Sequence, residues 1–122
     1  MRLYGQLYDM EPLEGLSALA HLNAGHEIYR AHFPGSPITP GVCIIQMAVE
    51  IFEELSGRKL QITEIRDAKF LSPVVPGISG PLLFEYDSSR ADDSALRLNV
   101  AVSCSDSGTR AAKITLLCIA SD

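Results

Sequence analysis

The spacing of apolar residues changes character along the chain. From Val42 to Ser56 the apolar residues Val42, Cys43, Ile44, Ile45, Met47, Ala48, Val49, Ile51, Phe52 and Leu55 recur at helical spacing and wrap nearly the whole circumference of the first half. This predicts one long buried helix with a polar side only at Glu50, Glu53 and Glu54. Pro40-Gly41 close the loop before it, and Gly57 followed by Arg58-Lys59 forms a stop signal after it. Downstream the period falls to two. Ala95 to Cys104 alternates, with Leu96, Leu98, Val100, Val102 and Cys104 on one face. Ser105-Asp106-Ser107-Gly108 is a turn, Arg110 to Ala120 a returning strand, and Gln61 to Phe70 and Leu82 to Tyr86 further strands. Upstream, Leu13-Glu14-Gly15 reads as a turn into a strand from Ser17 to Asn23. Ala24-Gly25-His26 reads as a hairpin turn, with Glu27 to Ala31 its return segment. The first sixteen residues are otherwise ambiguous. His32 to Gly41 holds three prolines and two glycines and must be an ordered loop. One apolar helix plus several antiparallel strands is an α+β pattern, the sheet covering the helix.

At 122 residues the chain is expected to form one domain, 1–122. With 47% hydrophobic and 20% charged residues it reads as globular rather than disordered. No apolar run approaches the roughly 18–20 residues of a membrane helix, and the start of the chain lacks the apolar stretch of a signal peptide. Together these predict a cytoplasmic protein. The net charge of −5 argues against nucleic-acid binding, which needs a basic footprint. Cys43, Cys104 and Cys118 are odd in number and lie among apolar neighbours, as reduced core thiols do. His21, His26 and His32 form no metal-ligand spacing, so neither a metal nor a cofactor is expected.

The informative stretch is His32-Phe33-Pro34-Gly35-Ser36-Pro37-Ile38-Thr39-Pro40-Gly41-Val42. It resembles the HFPGxPIxPGV signature of the 3-hydroxyacyl-acyl-carrier-protein dehydratases of the FabA/FabZ type. Lys69-Phe70-Leu71-Ser72-Pro73-Val74-Val75-Pro76-Gly77 resembles the same family's F-x-x-P-V-x-P-G segment. The resemblance implies a hot-dog fold, an antiparallel sheet wrapped around one central helix. It also implies dehydration of 3-hydroxyacyl thioesters to trans-2-enoyl thioesters. The loop chemistry agrees. Proline restricts the loop and preorganises its side chains. The N–H groups of Gly41 and Val42 open a helix, where its dipole favours developing negative charge on a thioester carbonyl. His32 is then the base for the acidified α-proton. Phe33, Pro40, Gly41 and Val42 are the expected substrate-binding positions, with the apolar helix lining an acyl slot.

The chain departs from the family at the partner of the histidine. An acidic residue is usual there, on the helix, and this chain has Gln46; one turn later, where the family commonly has Gln, it has Glu50. An amide can hold the 3-hydroxyl but cannot deliver a proton to it. Gln46 is therefore expected to hold the hydroxyl or a water while Glu50 supplies the proton, unless His32 makes both transfers and Glu50 faces solvent or a basic side chain. In the family the histidine of one subunit works with the acid of its neighbour. This implies a homodimer or higher oligomer, or a half-site subunit paired with a related hot-dog chain that brings the carboxylate. A hot-dog thioesterase is a third reading. The expected partner is an acyl carrier protein bearing a phosphopantetheine-linked acyl chain, met by Arg58, Lys59, Arg66 and Lys69.

Overall fold

The structure, a computed structural model, describes residues 2–31, 35 and 37–121. Its elements are β1 (Tyr8–Leu13), β2 (Ser17–Leu22), α1 (Ile28–Ala31), α2 (Gly41–Ser56), β3 (Leu60–Phe70), β4 (Leu82–Arg90), β5 (Leu96–Cys104) and β6 (Arg110–Ala120). The strands form one antiparallel sheet in the order β1-β2-β4-β5-β6-β3. Alternation along β4, β5 and β6 turns Leu82, Phe84, Tyr86, Leu98, Val100, Val102, Ile114 and Leu116 inward, all buried. Against them lies α2, with Met47, Ala48 and Ile51 fully covered. Tyr86 donates its hydroxyl proton to the Ala48 carbonyl at 2.6 Å and packs its ring on Phe52 at 5.3 Å between centroids. This is the expected α+β arrangement of a hot-dog fold. No helix among the described residues is long and apolar enough to cross a membrane.

The helix matches its expected span and stops as expected. Gly57 adopts φ 73°, a left-handed conformation that glycine enters without a Cβ penalty, and returns its N–H to the Glu53 carbonyl at 2.9 Å.

Two expectations need correction. Glu27 to Ala31 is not a returning strand: Ile28–Ala31 is the short helix α1. Strand β2 has both edges occupied, by β1 and β4, so no return segment can pair with it. Asn23 Oδ1 instead takes the Gly25 N–H at 3.0 Å and His26 Nδ1 takes the Ile28 N–H at 3.1 Å, turning the chain into a helical turn. The second correction concerns the polar side of α2. Glu54 is exposed and Glu53 half-buried, but Glu50 is only 1% exposed. The segment before β1 lies over it, burying Leu3 and Leu7. What α2 leaves open is Val42, 73% exposed, with Ile45 and Gln46 half-buried.

Beside this opening runs β3, last in the sheet order and paired, among the described residues, only to β6. Its register shifts between Ile62 and Glu64 and again between Ile65 and Asp67. Ile65 and Phe70 are exposed along it.

Candidate functional site

The two signature segments meet at the start of α2. The Thr39 N–H donates to the Val74 carbonyl at 2.8 Å, joining the end of the Pro-rich loop to the segment after β3. Thr39 is buried and its hydroxyl is hydrogen-bonded to that of Tyr29 at 2.9 Å. Burial raises the Tyr29 phenol above its ordinary pKa, so it remains neutral. Phe70 lies against Gly41. A Cβ built on that glycine would stand 2.8 Å from the ring's Cζ, so the Pro-Gly pair of one segment is fitted to the Phe of the other. Between them is a cavity of about 360 Å³, lined by Ile38, Pro40, Gly41, Ile44, Phe70 and Pro73 among others.

The helix start is arranged as its sequence suggests. Pro40 is the N-cap residue at φ −61° and ψ 143°, and its carbonyl accepts from Cys43 N–H at 3.0 Å and Ile44 N–H at 3.2 Å. Gly41 and Val42, the first two helical residues, therefore direct their N–H groups out of the helix, as every helix start must. Of the expected site residues, His32 and Phe33 lie outside the described residues.

Gln46 and Val42 are one turn apart and face a second cavity, of about 290 Å³, together with Leu3, Cys43, Ile45, Ile62 and Ile65. Within one chain, then, the helix divides the expected site. Pro40 and Gly41 line the first cavity, and Gln46 and Val42 line the second.

Glu50 is occupied by four donors. Its Oε2 accepts from the Leu3 backbone N–H at 2.8 Å and from Gln46 Nε2 at 2.9 Å. Its Oε1 accepts from the Tyr4 N–H at 2.8 Å and the Tyr8 hydroxyl at 3.1 Å. The Tyr8 phenol is raised far above its usual pKa, first by burial and then by the adjacent Glu50 charge and hydrogen bond. Glu50 therefore does not face solvent, and its hydrogen-bond donors among the described residues include no basic side chain. Sequence reasoning missed Leu3, Tyr4 and Tyr8, whose partner Glu50 lies 42 to 47 residues away, and Tyr29, whose partner Thr39 lies ten residues on; only their aliphatic or aromatic character sets them apart locally.

The four expected docking cations do not form one patch. Arg58 and Lys59 follow the C-terminal end of α2, a 16-residue helix roughly 24 Å long. Lys69 lies at the opposite end of β3, next to Phe70 and paired across the ladder with Lys113. Arg66 is in an exposed ion pair with Glu64 at 2.8 Å. The three thiols are free and buried, and burial raises Cys43 and lifts Cys118 to about 11. No group of three or more His, Cys, Asp or Glu side chains among the described residues could hold a metal ion.

Comparisons with known proteins point the same way. The FabZ 3-hydroxyacyl-[acyl-carrier-protein] dehydratase of Levilactobacillus brevis is 28% identical over 101 residues, covering 77% of this chain and 68% of that protein. The FabZ of Symbiobacterium thermophilum is 30% identical over 82 residues, 62% of this chain and 58% of that one, so the match spans little more than half of the latter. Among solved structures, the dehydratase heterocomplex ApeI:P from Xenorhabdus doucetiae superposes with a TM-score of 0.62 at 20% identity, over 95% of this chain and 99% of that chain. A 1,4-dihydroxy-2-naphthoyl-CoA thioesterase from Synechocystis superposes with a TM-score of 0.65 at 16% identity, over 85% and 80%. At these identities the two superpositions establish the hot-dog fold. The sequence profile of the ApeI-like family, described as ApeI dehydratase, matches residues 12–108, most of the chain. The chain belongs to the ApeI-like dehydratase family.

Proposed function

We propose that this protein dehydrates 3-hydroxyacyl thioesters carried on acyl carrier protein to trans-2-enoyl thioesters, without a cofactor. The observation that carries the reading is the junction of the two signature segments at the start of α2, through Thr39 and Val74 and through Gly41 and Phe70. In this mechanism the thioester carbonyl accepts from the outward N–H groups of Gly41 and Val42, which acidifies the α-proton. His32 removes that proton, and the C–H electron pair becomes the C2=C3 bond. The C3–O bond breaks, and the hydroxyl leaves as water after receiving a proton. Gln46 holds the hydroxyl. With its carboxylate committed to four donors, we assign Glu50 to positioning rather than to proton delivery. The leaving-group proton then comes from the imidazolium of His32 or from a partner.

A second reading is favoured by the amide at position 46. In it the chain is a half-site that pairs with a related hot-dog chain carrying the carboxylate; a comparable pairing is named for ApeI:P. Either way the open side of α2 and the free edge of β3 suit a neighbouring hot-dog subunit, which would bring the two cavities of adjoining chains together. We take the protein to be cytoplasmic, in keeping with three free thiols. Its carrier docks beside Lys69 and Lys113, at the loop end of the sheet, rather than at Arg58 and Lys59.

The test is to incubate the purified chain with 3-hydroxyacyl-carrier thioesters and follow enoyl formation. Turnover that disappears in His32→Ala supports the enzyme. No turnover alone, with strong turnover in Gln46→Glu, supports the half-site. Release of free carrier thiol without an enoyl product would show a thioesterase and overturn both.

A further inference from the structure

One atom of Glu50 ties two features of the slot together. Oε2 takes both the Leu3 N–H at 2.8 Å and Gln46 Nε2 at 2.9 Å, so these nitrogens are no farther apart than two hydrogen bonds laid end to end. Leu3 and Gln46 both line the 290 Å³ cavity, and Val42, Ile45, Ile62 and Ile65 give it an aliphatic wall. Beyond Leu3 and Cys43, a further cavity of about 330 Å³ opens between the N-terminal segment and α1, lined by Leu7 and Ile28 and also by the polar residues Arg2, Gln6, His26 and Glu27. Leu3 and Cys43, both buried, are the residues the two cavities share.

Leu3 is held on both sides of its peptide. Its N–H is on Glu50, and its carbonyl accepts from Gln6 N–H at 3.0 Å and Leu7 N–H at 2.8 Å. The next N–H, of Tyr4, is fixed by the other oxygen of the same carboxylate. Backbone tied at this many points holds the Cα of Leu3 at the boundary between the two cavities.

We propose that Leu3 is the end wall of the acyl slot and restricts the protein to short 3-hydroxyacyl chains. The proposal rests on the reading that Gln46 holds the 3-hydroxyl. With that hydroxyl at Gln46, the carbons beyond C3 run along the aliphatic wall and stop at Leu3. The rear cavity becomes available only when the wall is cut back.

The experiment measures binding of 3-hydroxyacyl pantetheine amides, which cannot be turned over, with four-, eight- and twelve-carbon chains, by calorimetry. The wild type should bind the four-carbon amide at least about tenfold more tightly than the twelve-carbon one, since misplaced methylenes are discriminated by about this factor or more. Leu3→Ala should abolish or reverse that preference. Cys43→Ala trims the same partition with less loss of packing and should shift the preference in the same direction, which covers the case in which Leu3→Ala does not fold. A flat wild-type profile, or a preference unchanged in the variants, would overturn the wall. Turnover is scored separately. A chain that shows the length preference but never forms enoyl product refutes the dehydratase reading alone. One that dehydrates all lengths equally refutes the wall alone, and one that binds none of the amides overturns the wall.

Discussion

Replacing Glu50 separates its two possible roles. In Glu50→Gln the side chain keeps its shape but loses one acceptor oxygen. The new amide can still accept from Tyr4 and Tyr8 with its oxygen, while its NH₂ group stands where the Leu3 N–H and Gln46 Nε2 donated. The Leu3 N–H then faces a donor and has no acceptor. Leaving one buried donor unsatisfied costs about 1–3 kcal/mol. In Glu50→Ala four donors lose this partner: the N–H groups of Leu3 and Tyr4, the Tyr8 hydroxyl and Gln46 Nε2. At about 1–3 kcal/mol each, that exceeds the alternative of releasing the N-terminal segment, which exposes Leu3 and Leu7 at about 1.5–3 kcal/mol apiece. The cheaper route sets the ceiling, so Glu50→Ala should lose about 3–6 kcal/mol with its N-terminal segment detached.

Urea denaturation distinguishes the two variants. Glu50→Gln should lower the midpoint with an unchanged slope. Glu50→Ala should lower both, because its native state already exposes surface. Amide hydrogen exchange should show protection lost at Leu3 but retained at Tyr4 in Glu50→Gln, and lost at both in Glu50→Ala. The reasoning is refuted if Glu50→Gln keeps wild-type stability and Leu3 protection while turnover falls by about 10²–10⁴-fold, the range expected for loss of a general acid. Glu50 would then be delivering the proton despite its four donors.

Two further outcomes follow from the packing. Gly41→Ala drives a methyl to 2.8 Å from the Phe70 ring and should cost about 1–3 kcal/mol as overpacking; Phe70→Leu in the same chain should recover part of it, measured as a coupling in a double-mutant cycle. Additive effects would mean that the two signature segments are not fitted to each other at this contact. Val42→Lys with Ile65→Lys places charge at the open side of α2 and the free edge of β3, where the wild-type residues are exposed. Sedimentation should then show monomer where the wild type is an oligomer, and an unchanged oligomer would move the interface elsewhere.

Legibility in the sequence followed the range of the interactions. Helix α2 is plain because the side chains of its first half, Gln46 apart, need apolar surroundings nearly all round, and β5 because its alternation faces a core on one side only. By contrast, β1 has one buried residue and otherwise exposed or half-buried ones, so its alternation leaves almost no trace; its neighbour β2 then looked as though it needed a partner from downstream. Strand β3 reads as extended but not as one-faced, since two register shifts in eleven residues break the alternation. The site was legible where local backbone chemistry specifies it, in the prolines and glycines before α2. It was not legible at Glu50, whose partners Leu3, Tyr4 and Tyr8 lie 42 to 47 residues earlier in the chain.

That distance also accounts for the exchange of side-chain types on α2. A position facing two backbone N–H groups and a phenol needs an acceptor without protons, and an ionised carboxylate has two such oxygens while an amide has one. Once the N-terminal segment folds over this turn of the helix, Glu suits position 50 and Gln does not. The residue one turn earlier can then donate to that carboxylate, as Gln46 does at 2.9 Å. A second carboxylate at position 46 would instead place two anions against each other in a largely buried setting. Gln46→Glu is thus an electrostatic test as well as a catalytic one. It restores the family's acid only by setting it beside Glu50, so the gain in activity should be larger in Gln46→Glu/Glu50→Gln than in Gln46→Glu alone. Measuring enoyl formation in both variants decides the point. If the single variant is the more active, repulsion from Glu50 is not what keeps an amide at position 46.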